Sequence, residues 1–360
     1  MVHHITMTYE PIPNIKPWCF LLYLLYFFCF RVLGMVLNYI GSKRSLAPRI
    51  VAEITKEWPD LSNWHFCDAF AGTGALSIHI APYVNTIIVN DWENFAKYIL
   101  EAQFNPPTQI LERINELNVT EPINGAITHT YSESAGRKYF TTNNAQKIDG
   151  IRHKLRSESY TTQERNYLIG VLISSADSVA NVASIYGAFL KEFKPVSLNS
   201  LRLNPIIPSI KKGRVLQFDS QELCKDSTYI NENTLLYLDP PYNQRQYGAN
   251  YFPLNAIADI HKDSFDVSGI TGIPLEGYKK SKWSSKKKVE ASLIDIVKNT
   301  PARRIALSYN DEGILSHEKI ISIFTENGWT IKRIQIPYKR FSSQKDSGSN
   351  TVEFLFIAQR

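Results

Sequence analysis

The chain has 360 residues, of which 44% are hydrophobic and 21% are charged, and its formal net charge is +6. A chain of this length and apolar content can bury a substantial core, in one large domain or in two unequal ones. The positive charge suits a polyanionic partner without identifying one, and the cysteines show neither metal-ligand spacing nor a disulfide framework, which fits a reducing cytoplasm: Cys19, Cys29, Cys67 and Cys224.

The N-terminal part contains a run of thirteen apolar residues at 18–30. A membrane span needs about twenty such residues, and a signal segment would be followed by a small-residue cleavage site, which is missing here. We therefore interpret residues 1–34 as an over-extended translation start and expect Met35 to be the native first residue. A membrane-tethered or interfacial segment is the alternative.

A glycine-rich turn follows the first predicted strand, in the sequence DAFAGTGALS at 68–77. Gly72 and Gly74 allow the backbone to approach a ligand closely, and the helix predicted after them offers unpaired N–H groups. The turn lacks the Gly-Lys-Ser/Thr of a phosphate loop and the third glycine of the full dinucleotide fingerprint. A second strand at 86–91 ends in Asp91, where an acid commonly binds the ribose hydroxyls of an adenosine cofactor. This order of elements predicts a nucleoside-binding α/β domain.

The middle of the chain is polar and largely helical in pattern. It predicts a helical region at 95–117 broken by two prolines, a long helix at 164–190 and a loop-rich segment at 193–212. An insert this long between two strands exceeds what a crossover needs, so we assign residues 131–212 to target recognition. A solvated helical cap is the alternative.

Two further predicted strands end in acids. The first, at 213–219, ends in Asp219, and the second, TLLYL at 234–238, is followed by Asp239. Ligands gather at the carboxyl ends of parallel strands, so Asp219 and Asp239 are expected on the same rim as Asp68 and Asp91. Asp219 would suit the amine of a cofactor adenine, and a turn or helix cap is the alternative role.

The tetrapeptide Asp239-Pro240-Pro241-Tyr242 offers the parts needed to hold a planar amine. Its two prolines end the strand and leave backbone carbonyls with no N–H competing beside them. The Asp239 carboxylate and the Pro240 carbonyl could each accept one amine hydrogen, and Tyr242 could cover the face of the ring. An ordinary proline turn after a strand is the alternative.

Six lysines lie around Tyr278 and Trp283 in the segment 278–288. They could bind phosphates, with an aromatic ring available for stacking on a base, and a solvated loop is the alternative. The last two strands should form an antiparallel hairpin at the sheet edge with an exposed loop at 339–350. The strands predicted for this part of the chain lie at 303–308, 330–337 and 351–358.

Three motifs in this order resemble the Dam-like (D12 class) adenine-specific DNA methyltransferases. They are NYIGSK at 38–43, DAFAGTGALS at 68–77 and the tetrapeptide DPPY at 239–242. The resemblance runs from about Asn38 to the C-terminus and includes YGANY at 247–251 and LSYN at 307–310. Each piece alone is weak, and the ordered set is specific.

The resemblance implies a fold and a division of the chain. The fold is α/β, a seven-stranded, mostly parallel Rossmann-like sheet with a helical target-recognition insert. Residues 35–130 would form the cofactor-binding half of the methyltransferase domain and residues 213–360 its catalytic half.

The resemblance also implies the reaction, transfer of a methyl group from S-adenosylmethionine to adenine N6 in a specific duplex DNA sequence. The target base would be flipped out of the duplex, and methyl transfer would be direct and in line. Residues 239–242 would be catalytic, with Tyr242 stacking on the flipped base. The cofactor would be bound by Tyr39, Lys43, Asp68, Phe70, Gly72, Gly74, Asp91 and Asp219.

A cytoplasmic restriction-modification system, with a cognate endonuclease as a further partner, is the expected setting. Neither a metal nor a membrane partner is expected. Two alternatives stay open, which are a different acceptor (cytosine N4 or an RNA adenine) and a non-catalytic nucleic-acid-binding protein with a vestigial cofactor fold.

Overall fold

Among the described residues, seven strands form one sheet. The computed structural model describes residues 37, 39–336 and 352–360. The predictions for residues 1–34, for Cys19 and Cys29 and for the loop at 339–350 lie outside the described residues. The strands of the sheet are β1 (His65–Asp68), β2 (Thr86–Asn90), β3 (Arg214–Leu216), β4 (Thr234–Leu238), β7 (Arg304–Asn310), β8 (Thr330–Ile336) and β9 (Glu353–Gln359). Their order across the sheet is β3-β2-β1-β4-β7-β9-β8.

The centre of the sheet is parallel. Strand β1 pairs in parallel with β2 and β4, and the ladder continues in parallel to β3 on one side and to β7 on the other. Strand β9 runs antiparallel to both β7 and β8. The predicted seven-stranded, mostly parallel sheet is therefore confirmed. The predicted hairpin forms as well, with β9 inside the sheet and β8 at its edge.

Burial explains why the central strands read as continuous apolar runs. All five residues of β4 are buried, and since successive side chains point to opposite faces, both faces of the sheet are covered at this strand. Leu236 and Leu238 of β4 belong to one apolar cluster that includes residues of the C-terminal helices. The edge strand β8 is largely exposed or half-buried, as expected for a strand with one neighbour.

The helices pack around this sheet, and several of them share a second apolar cluster. The predicted break at the two prolines is confirmed, since one helix ends at Phe104 before them and the next begins at Leu111 after them. The helices are α1 (Ala47–Glu57), α2 (Ala75–Ile80), α3 (Asn94–Phe104), α4 (Leu111–Asn118), α5 (Ala126–Tyr131), α6 (Thr142–Ser157), α7 (Thr162–Ser178), α8 (Ser220–Leu223), α9 (Tyr247–Asn250), α10 (Phe252–Ala258), α11 (Val289–Asn299) and α12 (His317–Glu326). A separate two-stranded sheet pairs β5 (Val267–Ser268) with β6 (Ile273–Pro274).

The insert at 131–212 shares its apolar core with helix α3 of the sheet domain. Helix α7 approaches α3 so closely that a Cβ on Gly170 would lie 2.3 Å from the carbonyl oxygen of Tyr98. The helix predicted at 164–190 is too long, because α7 ends at Ser178. Beyond it, the Asn181 side chain donates to the carbonyl of Leu190 at 3.1 Å and closes a loop. The strand predicted at 213–219 is also shorter than expected and spans Arg214–Leu216.

No helix in the described part of the chain is long and apolar enough to cross a membrane.

Candidate active site

A cleft opens at the edge of the sheet where the parallel strands end. Its walls come from the ends of β1, β2 and β4, from the turn before α8 and from the segment after β6. Of the predicted site residues, the ones that line it are Tyr39, Phe70, Asp91, Asp219, Asp239, Pro240, Pro241 and Tyr242. Lys43, Asp68, Gly72 and Gly74 lie behind these walls. The strand ends thus bring the predicted acids to one rim.

The glycine turn lies between β1 and α2, behind the cleft wall. Gly72 and Gly74 have positive φ angles of 53° and 74°, a conformation that side-chain-bearing residues rarely adopt. A Cβ on Gly72 would lie 2.6 Å from Cε1 of Tyr39. Glycine at 72 therefore creates the space into which the Tyr39 ring packs.

Asp68 supports the glycine turn from beneath. Its Oδ2 accepts a 2.7 Å hydrogen bond from the Ser77 hydroxyl, and its Oδ1 accepts a 3.3 Å bond from the Phe70 N–H. Burial raises the pKa of Asp68 to about 7, and the nearby Asp239 and Asp91 carboxylates act in the same direction. Asp68 therefore ties strand, turn and helix together.

Asp91 lies at the end of β2 and faces the cleft, with 8% of its surface exposed. Its Oδ2 accepts from the Gly72 N–H at 2.8 Å, and its Oδ1 accepts from the Glu93 N–H at 2.9 Å. Burial raises the pKa of Asp91, while these backbone hydrogen bonds and the ammonium of Lys279 oppose the rise. The carboxylate is thus held rigidly at the mouth of the glycine turn.

Lys279 belongs to the basic segment but folds into the cleft, where the sequence pattern did not place it. Its Nζ donates to the Trp92 carbonyl and lies 5.7 Å from the centre of the Trp92 ring. Glu93 stands beside it, and burial raises the pKa of Glu93 to about 7. The local sequence around Lys279 does not indicate this position, because the acids that it faces lie almost two hundred residues earlier in the chain.

Trp283 completes the same wall. Its indole N–H donates to the Ser220 hydroxyl at 3.1 Å, and its ring packs edge-on against Phe70 at 5.2 Å between centroids. The indole of Trp283 is buried, whereas the Tyr278 ring is half-buried, so that stacking of an aromatic of this segment on DNA stays a prediction that only Tyr278 could meet. The side chains of Lys280, Lys282 and the lysines at 286–288 remain exposed.

Asp219 lines the cleft and also caps α8, where its Oδ1 accepts from the Gln221 N–H at 2.9 Å. Its alternative role as a helix cap is therefore present in the structure. A contact between Asp219 and a cofactor amine stays a prediction.

The Asp239 carboxylate is bound by a buried lysine. The Nζ of Lys43 lies 2.8 Å from Oδ1 of Asp239 and 3.2 Å from Oε1 of Glu353. Burial raises the pKa of Asp239 to about 6, although the Lys43 ammonium opposes that rise. Glu353 was missed by sequence reasoning, because it begins a strand and belongs to none of the motifs.

The rest of the tetrapeptide is fixed by its surroundings. Pro240 is buried, and the carbonyl of Tyr242 accepts a 3.0 Å hydrogen bond from the Ile314 N–H. The Tyr242 ring stands edge-on to Tyr309 at 6.1 Å, and Nζ of Lys43 lies 5.2 Å from its centre.

Two of the sequence motifs contact each other directly. The Tyr251 hydroxyl accepts from the Ile40 N–H at 2.7 Å, and the Tyr247 hydroxyl donates to the Ile40 carbonyl at 3.1 Å. Tyr39 stacks on Tyr251 with 5.4 Å between ring centroids. The segment at 247–251 therefore positions the segment that carries Tyr39 and Lys43.

No group of three or more His, Cys, Asp or Glu residues is arranged to hold a metal ion within residues 37, 39–336 and 352–360.

Comparison with known proteins identifies relatives along most of the chain. A sequence profile described as D12 class N6 adenine-specific DNA methyltransferase matches residues 39–323. The type II methyltransferase M.NlaIII of Neisseria lactamica is 36% identical over 342 residues, covering 90% of this chain and 99% of that protein. The type II methyltransferase M.CviAII of Paramecium bursaria Chlorella virus 1 is 35% identical over 335 residues, with the same coverage of 90% and 99%.

A solved structure of magnesium protoporphyrin IX methyltransferase from Synechocystis PCC 6803 with bound SAM aligns over 88% of this chain and 79% of that chain. The TM-score is 0.34 and the identity 10%, and a similarity this low supports no conclusion.

Proposed function

This chain belongs to the D12 class N6 adenine-specific DNA methyltransferases, and we propose that the cleft described above is where it methylates adenine in a specific duplex sequence. S-Adenosylmethionine supplies an electrophilic methyl group on a sulfonium. The observation that carries the proposal is the position of the Asp239 carboxylate in the same cleft as Asp91 and Phe70, the residue that leads from β1 into the glycine turn.

The cleft has the features that an adenosine cofactor requires. Gly72 leaves the space in which the Tyr39 ring packs, and Tyr39 itself lines the cleft. Phe70, Phe218 and Trp283 supply apolar ring surface in the same cleft. A charged carboxylate, Asp91, is fixed at the end of β2, where ribose hydroxyls are commonly bound in α/β folds.

We assign the cofactor contacts accordingly. Asp91 would accept hydrogen bonds from the two ribose hydroxyls, and Asp219 would accept one from the adenine amine. Phe70 and Tyr39 would cover the cofactor from two sides. Lys279 would balance the charge of Asp91 and Glu93, whose carboxylates it faces.

Asp239 and Pro240 would prepare the target amine for attack. The lone pair of adenine N6 is delocalised into the ring, so the free amine is a poor nucleophile. Two hydrogen bonds, one to the Asp239 carboxylate and one to the Pro240 carbonyl, would draw the lone pair out of conjugation and align it. Such alignment can lower the activation barrier of methyl transfer by several kcal/mol.

The target base must leave the duplex to reach this cleft, because in the duplex N6 is paired with thymine and the base is stacked between its neighbours. We propose that Tyr242 stacks on the flipped base. Residues 131–212 would read the target sequence, and the exposed lysines at 286–288 would bind phosphates without sequence preference. Lys43, which was expected among the cofactor contacts, would instead act on Asp239.

The setting we propose is a restriction-modification system. M.NlaIII and M.CviAII, which this chain resembles over nearly their whole length, are named as type II methyltransferases. An endonuclease that cleaves the same DNA sequence would be the functional partner, and the reaction would take place in the cytoplasm with the host DNA.

Detection of N6-methyladenine by direct sequencing of genomic DNA, with and without the gene, tests the proposal. We expect one methylated sequence that disappears when the gene is deleted. Methylation of cytosine N4 in the same experiment, or of defined RNA oligonucleotides alone, would contradict the assigned acceptor. Absence of any methylation together with no measurable S-adenosylmethionine binding would contradict catalysis.

A further inference from the structure

Lys43 lies between two carboxylates in the interior of the active site. Only 5% of its side chain is exposed, and 14% and 8% of the side chains of Asp239 and Glu353 are exposed. Two negative groups and one positive group give this cluster a net charge of −1 when all three are ionised. Buried charges are normally paired with opposite charges, so the excess negative charge of this cluster suggests a functional role.

The topology brings Glu353 to this place. Glu353 is the first residue of β9 and is paired with Asn310, the last residue of β7. Because β9 runs antiparallel to β7, its first residue falls at the edge where the parallel strands end. A carboxylate from the C-terminal strand thus reaches the same rim as Asp239, which follows β4.

We propose that Glu353 is a positioning residue for methyl transfer, which shares the Lys43 ammonium so that the Asp239 carboxylate keeps negative charge for the target amine. This inference rests on the proposed catalytic role of Asp239. Lys43 engages Oδ1 of Asp239, which leaves Oδ2 to accept a hydrogen bond from the amine.

The charge balance of the reaction explains why a shared lysine helps. As the bond from N6 to the methyl carbon forms, the methyl–sulfur bond breaks and its electron pair stays on sulfur. Positive charge moves to the nitrogen, which then loses one proton towards Asp239. A carboxylate that is fully neutralised by its own lysine would stabilise this charge weakly, whereas a cluster with net charge −1 stabilises it more.

The charged groups around Asp239 raise or lower its pKa. The Glu353 carboxylate raises the pKa of Asp239, and the Lys43 ammonium lowers it. Asp68 lies close enough to interact with Asp239, and so do the phenols of Tyr237 and Tyr247. Removing the charge of Glu353 therefore leaves Lys43 to act on Asp239 alone and lowers the pKa of Asp239.

The test compares Glu353→Gln with the conservative Glu353→Asp and with Asp311→Asn, which removes a charge from an exposed acid just beyond β7. Single-turnover methyl transfer from radiolabelled S-adenosylmethionine to plasmid DNA from a methylation-free host is measured from pH 5 to 9. Cofactor affinity is measured separately by titration calorimetry.

For Glu353→Gln we expect a rate lower by about tenfold at neutral pH. The acidic limb of the plot of rate against pH should shift to lower pH by about one unit, and cofactor affinity should stay within about threefold of the wild-type value. Glu353→Asp should keep the position of the limb, and Asp311→Asn should match the wild type throughout. Glu353→Met removes the same charge with an apolar side chain and is judged by the same criteria if Glu353→Gln folds poorly.

An unchanged acidic limb in folded Glu353→Gln or Glu353→Met would overturn the inference, and so would an upward shift. Loss of cofactor binding with an unshifted limb would assign Glu353 a purely structural role. Asp239→Asn is measured in parallel. If that variant stays active, the proposed function fails, whereas an inactive Asp239→Asn with an unaffected Glu353→Gln refutes only the role of Glu353.

Discussion

Replacing Asp239 with Asn should make the protein more stable and inactive at once. In the folded chain, burial raises the pKa of Asp239 from its ordinary value of 3.8 to about 6. Because the folded state holds the proton more tightly than the unfolded state, stability is greatest below the unfolded pKa. It is lost as the pH rises through the folded pKa. At pH 7 the ionised carboxylate therefore destabilises the fold by up to about 3 kcal/mol, at about 1.4 kcal/mol per unit of pKa difference.

Asparagine removes that penalty and leaves Lys43 paired with Glu353, so no buried ammonium is left alone. We expect Asp239→Asn to be more stable than the wild type by about 1–3 kcal/mol at pH 7, which corresponds to a rise in melting temperature of roughly 2–5 °C. The difference should shrink at pH 4, where the wild-type carboxyl group is protonated in the folded state. Methyl transfer should fall more than tenfold, a loss above about 1.4 kcal/mol, since an amide cannot supply the negative charge.

Thermal unfolding of both proteins at pH 4 and pH 7, followed by circular dichroism, measures the stability. Radiolabelled methyl transfer measures the activity, and calorimetry checks that cofactor affinity stays within about tenfold. A variant that is less stable than the wild type at pH 7, or a stability gain that does not depend on pH, would refute the electrostatic argument. Turnover above about a tenth of wild type would remove Asp239 from the catalytic role.

Three further predictions concern cofactor and DNA binding. Asp91→Ala should weaken S-adenosylmethionine by roughly 1–3 kcal/mol through lost hydrogen bonds to a charged acceptor, and unchanged affinity by calorimetry in a folded variant would move the ribose site elsewhere. Gly72→Ala should also weaken the cofactor, because the new Cβ would lie 2.6 Å from the Tyr39 ring, and wild-type affinity would show that the turn can relax. Alanine at 286–288 should weaken cognate and random duplexes alike and flatten the slope of log affinity against log salt by about 0.9 per lost phosphate contact. An unchanged slope would identify a solvated loop, and a selective loss of cognate binding would place sequence recognition in this segment.

Local patterns predicted the elements whose residues are close together in the sequence. The buried strand TLLYL, the glycine turn and the helix break at the two prolines all depend on the conformational limits of their own residues, and the structure has each of them. The helix predicted at 164–190 failed for the opposite reason. Past Ser178 the Asn181 side chain donates a hydrogen bond to the Leu190 carbonyl and holds the chain in a loop. This bond competes with helix formation, and a helical sequence pattern does not indicate it.

The basic segment at 278–288 shows that local sequence patterns are limited in the same way for functional residues. Its composition predicted lysines that bind phosphates and an aromatic ring available for stacking. The fold instead buries Trp283 beside Phe70 and turns Lys279 towards the acids that follow β2. Only the remaining exposed lysines keep the predicted character. Charge and aromatic content can be read from a sequence, but the face that a side chain presents depends on what packs against the segment.

By itself, the sequence determined the order of motifs, the acids at the ends of the strands and the tetrapeptide that we propose holds the amine. Each of these is a local signal, because strand ends, glycine turns and prolines act on neighbouring backbone. The tertiary structure alone decided the partners of Lys43. Glu353 reaches Asp239 because β9 enters the sheet antiparallel, so its first residue meets the last residues of the parallel strands. No local pattern contains these contacts, since they join Lys43 to residues 239 and 353, which lie far from it in the sequence.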